Sequence, residues 1–264
     1  MSAHLQPNDH TAALREIAGA VARLKSTTPA HLEHAVLTSA CGTSIDCFVF
    51  RGPAAAHDPI RIGVFAAIHG DEPASALAAL RLLDMLIADV SLGEGYHLYV
   101  YPVTNPSGLE AGTRANARGS DLNREFWKAS AHAEVRLLEN ELSTHRFHGL
   151  VSLHADDTCE GLYGYAHGRL LNEELLKPAL EASEQHLPRD RRPLIDGFAA
   201  AEGIIHYCYQ GVLSAPPDQK PAPFDIILET PALAPIDLQA AAALDGLLAI
   251  LRAYRRFISY GGDL

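Results

Sequence analysis

An apolar stretch that runs into a polar pair constrains the fold of this chain more than any other feature. Residues 62–68 carry no charge and contain one glycine, which is typical of a strand buried on both faces of a sheet. Pro73 fits the first position of a helix, and it disfavours a helical conformation at the preceding Glu72. His69 and Glu72 are therefore predicted at the carboxyl end of a strand, where open α/β sheets bind their ligands.

Two further apolar strands are followed by residues that could share a metal with this pair. His154 follows the apolar residues 150–153, and Glu229 follows residues 224–228. A lone His-x-x-Glu is usually a polar loop, and a lone histidine can belong to a core. Together, two histidines and a carboxylate form a catalytic zinc pattern, and a fourth, nearby carboxylate could act as a general base.

The order of the predicted elements indicates an α/β fold. Strands alternate with helices, which predicts a three-layer sandwich with a mixed, largely parallel central sheet flanked by helices. The 264 residues show no internal repeat and no domain boundary, so we expect a single catalytic domain over residues 1–264. Predicted helices cover 11–25, 74–90, 132–147, 172–186 and a final segment opening at Pro235; predicted strands cover 34–38, 44–50, 62–68, 96–103, 150–153 and 224–228, with a short strand or lid at 204–209. Residues 109–126 show neither the helical nor the strand repeat of apolar residues, and they are predicted to form an ordered functional loop.

Composition narrows the classes of partner and the location. The net charge of -11 argues against nucleic acid or an anionic membrane as the main partner. The four cysteines show no metal-binding or disulfide spacing, and no apolar run reaches the ~18 residues of a membrane span. The first ten residues lack the apolar core of a signal peptide, so a cytoplasmic protein is predicted.

A series of motifs between residues 69 and 229 resembles the zinc carboxypeptidase superfamily, which includes the aspartoacylases and succinylglutamate desuccinylases. In chain order the motifs are His69-x-x-Glu72, Asn105-Pro106-Ser107-Gly108, Thr113-Arg114, Asp121-Leu122-Asn123-Arg124, a lone histidine at His154, and Glu229. The segments outside this range match the superfamily only in their predicted elements.

The resemblance implies a role for each matched residue. The implied ligands of one Zn²⁺ per chain are His69, Glu72 and His154. Glu229 is implied as general base and proton shuttle, Arg114 as the group that polarises the scissile carbonyl, and Asn123 with Arg124 as the carboxylate-binding pair. A planar arginine fork suits both a carboxylate and a developing oxyanion.

Several alternatives stay open at this point. Arg118 lies in the same loop as Arg114 and competes for the oxyanion role, and Tyr207 or Tyr209 could supply a catalytic tyrosine. Arg124 could instead be a surface arginine. Cobalt or manganese would fit the same ligands as zinc.

The expected function is hydrolysis of an amide bond near a free carboxylate. The loop over residues 112–124 favours a metallocarboxypeptidase acting on small peptides. A deacylase of N-acyl amino acids, of the succinylglutamate desuccinylase or aspartoacylase type, is the first alternative. A catalytically silent metal-binding protein on the same fold is the second. The oligomeric state does not follow from the sequence.

Overall fold

The strands of the central sheet account for most of the predicted order of elements. A computed structural model describes residues 7–27, 29–54, 59–167 and 169–261. Within these ranges the strands are β1 (Leu32–Thr38), β2 (Ser44–Arg51), β3 (Ile60–Ala66), β4 (Tyr96–Tyr101), β5 (Gly149–Asp156), β6 (Tyr163–Ala166), β7 (Leu194–Ile195), β8 (Phe198–Ala201), β9 (Ile204–Ile205) and β10 (Phe224–Pro231). They form one sheet in the order β1-β2-β4-β3-β5-β10-β6-β9-β8-β7.

Helices flank this sheet. In the described ranges they are α1 (Pro7–Ser26), α2 (Pro73–Ala88), α3 (Pro106–Ala111), α4 (Ala133–His145), α5 (Arg169–Leu171), α6 (Lys177–Ser183) and α7 (Ile236–Gly261). A π-helical turn at Asn172–Leu176 joins α5 to α6, and 3-10 turns cover Val90–Gly93 and Leu122–Arg124. None of the helices in the described ranges has the length and apolarity needed to cross a membrane.

The centre of the sheet is parallel, as the sequence predicts. Strands β4, β3, β5 and β10 run side by side in parallel, while β2 on one flank and β6 on the other pair antiparallel to this block. The prediction of a mixed, largely parallel sheet between helices is therefore confirmed. Because the four central strands share one direction, their carboxyl ends meet at the same edge of the sheet.

Alternating residues of the strands pack into two different cores. On β10, Phe224, Ile226 and Leu228 belong to the core that packs against α2, α6 and α7. The opposite face of the sheet packs against α4, with Phe65, Tyr101 and Leu150 in its core. Asp225, Ile227 and Glu229 alternate with the first set, and they line cavities on this second side.

Several predicted boundaries are confirmed. The strands predicted at 34–38 and 44–50 form the antiparallel hairpin of β1 and β2. Helix α2 begins at Pro73, and Glu72 before it is not helical, with φ -111° and ψ 57°. The final helix begins at Ile236, one residue after the predicted Pro235.

Other boundaries are wrong, and for the strands the reason is sheet pairing. His154 and Glu229 lie inside β5 and β10 rather than after them, because these strands pair in parallel well past their apolar runs. The predicted loop at 109–126 contains the end of α3 and a 3-10 turn. The short strands β6, β7 and β8 are absent from the predicted elements, and the element predicted at 204–209 is a strand only at Ile204–Ile205.

Candidate active site

A strained turn after β3 places His69 and Glu72. Ala67 has a positive φ of 48°, which is uncommon for a residue other than glycine. The Ser75 hydroxyl accepts a hydrogen bond from the Ala67 N–H at 2.9 Å and donates one to the Glu72 carbonyl at 2.7 Å. The first turn of α2 therefore holds both ends of the segment that carries the pair.

The Asn-Pro-x-Gly motif holds the same segment from the other side. The Asn105 side chain donates to the Ile68 carbonyl at 3.1 Å and accepts from the Gly108 N–H at 3.0 Å. A Cβ atom on Gly70 would lie 1.8 Å from the Gly108 carbonyl carbon, so only glycine permits this contact. Two motifs that are 36 residues apart in the sequence thus form one packed unit.

His69, Glu72 and His154 converge on one point at the carboxyl edge of the sheet. His69 Nδ1 lies 2.6 Å from Glu72 Oε1, and His154 Nδ1 lies 3.1 Å from Glu72 Oε2. One ligand atom from each residue lies within 4.8 Å of the others. All three side chains are buried. This is the one group of its kind in the described ranges, and it could hold a metal ion.

The electrostatics of this cluster suit a cation. Burial alone would raise the pKa of Glu72, but the neighbouring His69 and His154 outweigh it and lower that pKa. Burial would likewise lower the pKa of His69, but Glu72 and Asp121 raise it to about 9. A buried carboxylate between two imidazole nitrogens is a donor set that divalent zinc accepts and neutralises, so the residues fit the metal that the motifs imply.

Asp121 supports the cluster from outside, a contact that the sequence analysis did not predict. Its Oδ1 lies 3.1 Å from His69 Nε2 and accepts the Asn123 N–H at 3.0 Å. Its Oδ2 lies 3.0 Å from Arg114 Nη2. The same carboxylate therefore orients an imidazole, shapes the loop and holds an arginine. The sequence signal for this contact is the place of Asp121 in the Asp-Leu-Asn-Arg motif.

Glu229 lies beside His154 in the paired strands and lines the adjoining cavity. Burial raises the pKa of Glu229 well above its ordinary value, and the negative charges of Glu72 and Asp156 raise it further. The sheet thus presents a carboxyl group next to the cluster but outside its set of ligand atoms.

Arg114 and Arg118, the two candidates for stabilising the oxyanion, lie in different surroundings. Arg114 lines the cavity, and its Nη1 lies 3.8 Å from Glu72 Oε1. Arg118 is exposed and does not line that cavity. The structure therefore brings Arg114, and not Arg118, to the cluster.

Asn123 and Arg124 also line the cavity. Asn123 Oδ1 accepts the Leu213 N–H at 2.8 Å, which fixes its amide. The Arg124 guanidinium lies 4.2 Å above the ring of Tyr209, and Arg124 Nη1 donates to the Asn123 carbonyl. No carboxylate of the described residues forms an ion pair with Arg124. Of the two candidate tyrosines, Tyr209 lines the cavity while Tyr207 is 71% exposed.

The main cavity has a volume of about 860 Å³ and holds all seven residues of the predicted site. Helix α1 forms part of its wall through His10, Thr11 and Leu14. A second pocket of about 460 Å³ adjoins it. The residues that line both are Tyr165, Cys208, Tyr209, Val212 and Ile227.

Comparison with known proteins finds a family model that matches part of this chain. Residues 59–159 match the family model for the succinylglutamate desuccinylase/aspartoacylase catalytic domain. This segment contains His69, Glu72 and His154, while Glu229 lies beyond it. No curated protein matches the chain by sequence.

Solved structures share the fold along almost the whole chain. A candidate metallopeptidase from Shewanella amazonensis is 22% identical, covers 92% of both chains and gives a TM-score of 0.76. A metallo-carboxypeptidase from Burkholderia cenocepacia is 16% identical with a TM-score of 0.73, over 92% of this chain and 69% of that one. A metallo-carboxypeptidase from Pseudomonas aeruginosa, in complex with (2-guanidinoethylmercapto)succinic acid, is 20% identical with a TM-score of 0.66, over 95% of this chain and 69% of that one. The family match is confined to residues 59–159, while the structural matches show that the chain shares the fold of these metallo-carboxypeptidases.

Proposed function

We propose that this protein is a zinc-dependent hydrolase that cleaves an amide bond close to a free carboxylate. The observation that carries the proposal is the placement of a buried His69–Glu72–His154 cluster in a cavity that also contains Glu229 and two arginines. Three protein ligands leave room for substrate or water at a zinc ion, as catalytic rather than structural sites do.

The protein's own groups divide the remaining work. Zn²⁺ held by the cluster would polarise the scissile carbonyl and lower the pKa of a water molecule. Glu229 accepts the proton of the attacking water and returns it to the leaving amine. Arg114 donates hydrogen bonds to the carbonyl oxygen as its negative charge develops. Arg124, next to Asn123, binds the substrate carboxylate and so fixes the distance from that carboxylate to the scissile bond.

A carboxypeptidase acting on small peptides is the preferred reaction. The second pocket supports this choice, because it offers about 460 Å³ beside Arg124 and Tyr209 for the side chain of a terminal residue. The Pseudomonas aeruginosa metallo-carboxypeptidase with this fold binds a succinic acid derivative, which carries carboxylates. Deacylation of an N-acyl amino acid is the alternative, favoured by the match to the desuccinylase/aspartoacylase domain.

The proposed location is the cytoplasm. All four cysteines are unpaired, and two of them, Cys47 and Cys159, are buried, as is usual in a reducing compartment.

A substrate panel on zinc-loaded protein tests the reaction. The panel contains N-blocked dipeptides, the same peptides with an amidated C-terminus, and N-acetyl and N-succinyl amino acids. Cleavage of dipeptides with a free carboxylate is expected, and faster cleavage of the N-acyl amino acids would select the deacylase instead. A His69→Ala variant should lose both zinc and activity. Wild-type protein that binds zinc and cleaves none of these compounds would favour a silent metal-binding protein.

A further inference from the structure

The second pocket is lined by a carboxylate that the proposed reaction does not use. Asp225 lines this pocket and lies on β10, on the same face as Ile227 and Glu229. Ile227 lines both cavities, so the face of β10 leads from the proposed general base into the pocket. Glu229 lies four positions after Asp225 along β10, which corresponds to about 13 Å of strand.

Asp225 is a partly buried acid, and one of its two carboxylate oxygens is buried without a partner. Its Oδ1 is inaccessible to solvent and has no hydrogen-bond partner. No cation of the described residues forms an ion pair with it. Burial raises the pKa of Asp225 to about 7. A carboxylate oxygen that is buried and unpaired costs free energy, which a cationic partner entering the pocket would recover.

The walls of the pocket suit a long side chain with a charged end. Ile227, Tyr165 and Cys208 line the passage between the two cavities, and Phe126 and Trp127 line the pocket itself. Long aliphatic stems with a terminal charge pack on such walls while the charge reaches a polar group. Short side chains would leave the charge far from Asp225.

The one lysine at the pocket does not neutralise Asp225. Lys128 Nζ instead donates to the Arg124 carbonyl at 2.8 Å. Arg124 itself stacks on Tyr209, a residue that lines both cavities. A substrate residue whose carboxylate meets Arg124 therefore has its side chain beside the passage that leads to Asp225.

We propose that Asp225 selects a long cationic side chain, an amine or a guanidinium, on the substrate residue whose carboxylate binds to Arg124. The inference rests on the proposed amide hydrolysis, and it narrows the substrate class to compounds with a basic terminal residue. The residue acts through binding, so it takes no part in the chemical step.

A pair of matched substrates tests the selection. Two N-blocked dipeptides differ only in a C-terminal lysine or norleucine, and kcat/KM is measured for both at pH 8 with wild-type protein and Asp225→Asn. The asparagine keeps the shape and removes the charge. We expect the lysine-to-norleucine ratio of kcat/KM to fall by about 30-fold or more, since loss of one partner of a buried charge pair costs at least that much. Because the ratio is taken within one protein, partial unfolding does not change it.

Asp157→Asn is the control variant. Asp157 also lines the main cavity, but it is exposed to solvent, so its removal changes the general charge of the site without changing the pocket. The ratio should stay within about threefold of wild type, as for screened surface charges. A wild-type ratio near one, or an equal fall in both variants, overturns the role of Asp225.

Binding of the free amino acids separates this proposal from the reaction itself. Calorimetric titration of zinc-loaded protein with L-lysine and L-norleucine should show tighter binding of lysine in the wild type and no preference in Asp225→Asn. If lysine binds in this way and no amide is cleaved, the pocket stands and the proposed reaction fails. If amides are cleaved and lysine has no advantage, the reaction stands and the pocket assignment fails.

Discussion

His69 Nε2 lies 3.1 Å from Asp121 Oδ1, so the imidazole whose Nδ1 faces Glu72 is held in place through its other nitrogen. Partners of this kind fix the tautomer and orientation of a metal ligand, and their loss typically lowers metal affinity by about 10- to 100-fold. We expect such a loss for Asp121→Ala, measured by competition with a chelator. Asp157→Asn, an exposed acid of the same cavity, should keep wild-type affinity. Unchanged zinc affinity in Asp121→Ala would show that the contact is incidental.

Glu229 provides the test of the proposed proton transfer. Glu229→Gln keeps the shape of the side chain and removes the proton acceptor. Loss of general acid–base assistance typically costs about 10²- to 10⁴-fold, and here one group serves in two steps. We therefore expect kcat to fall by at least about 100-fold while the zinc content, measured by elemental analysis, stays at the wild-type level. A fully active variant would assign Glu229 a structural role.

Arg124 provides the test of the carboxylate site. Arg124→Ala should reduce kcat/KM for a free-acid substrate by about 30-fold or more, because a hydrogen-bonded charge pair is lost. Amidation of the substrate should cause a similar loss in the wild type. The two losses should not add, since each removes the same interaction. Additive losses in the four-way comparison of proteins and substrates would mean that Arg124 binds something other than the carboxylate.

Gly70 tests the packing that supports the metal ligands. A methyl group at this position would overlap the backbone at Gly108, so Gly70→Ala should lower the free energy of unfolding by about 1–3 kcal/mol or more. Zinc affinity should fall as well, because Gly70 follows His69 directly. Gly19→Ala is the matched control: its Cβ meets nothing within 4 Å, and alanine in helix α1 should be neutral or stabilising. Denaturant unfolding of both variants measures the difference.

Asp225 predicts a pH-dependent cost to stability in the absence of a cationic ligand. Its pKa is about 7 in the folded protein and near its ordinary value of 3.8 in the unfolded chain. A carboxyl group with a higher pKa in the folded protein does not lower the free energy of unfolding below the pKa of the unfolded state. Above that pKa, the free energy of unfolding falls as the pH rises towards the pKa of the folded state. The loss should therefore develop between about pH 4 and pH 7 and then level off, at up to about 4 kcal/mol. Asp225→Asn should be more stable than wild type at pH 8 and equal to it near pH 4.

The groups that face Asp225 bear on this measurement. Tyr165 and Cys208 have pKa values raised first by burial and also by the charge of Asp225, and both titrate above the window of interest. His167 and Lys128 line the same pocket. Unfolding in urea at pH 5, 6, 7 and 8 gives the difference between the two proteins, in which these unchanged groups largely cancel. A difference that does not vary with pH would contradict the burial of an ionisable carboxyl group.

The parts of the site that the sequence predicts are those set by local chemistry. The apolar run before His69 and the proline after Glu72 determine a strand, a turn and a helix start from neighbouring residues alone, and the structure agrees. The parallel centre of the sheet follows in the same way from the alternation of strands and helices.

The features that the sequence does not predict depend on contacts between residues that are far apart in the chain. Strand β6 is only four residues long and exists because it pairs with β10, about sixty residues later. The contact between His69 and Asp121 joins residues 52 positions apart. The sequence gives one local indication for Asp225: it lies four positions before Glu229, so both side chains are on the same face of the strand. Which groups that face contacts depends on the neighbouring strands and loops, which the sequence does not give.

The side chains of β10 alternate between the core and the cavities, so substitutions along this strand can change stability and substrate selectivity separately. Phe224, Ile226 and Leu228 belong to the core, whereas Asp225, Ile227 and Glu229 line the cavities. Changes at the first set should therefore alter thermal tolerance with little effect on selectivity, and changes at Asp225 and Ile227 should do the reverse. A laboratory search for new substrates can be confined to those two positions and their neighbours on β6. Inserting a single residue within β10 would exchange the two sets along the rest of the strand and destroy both properties at once.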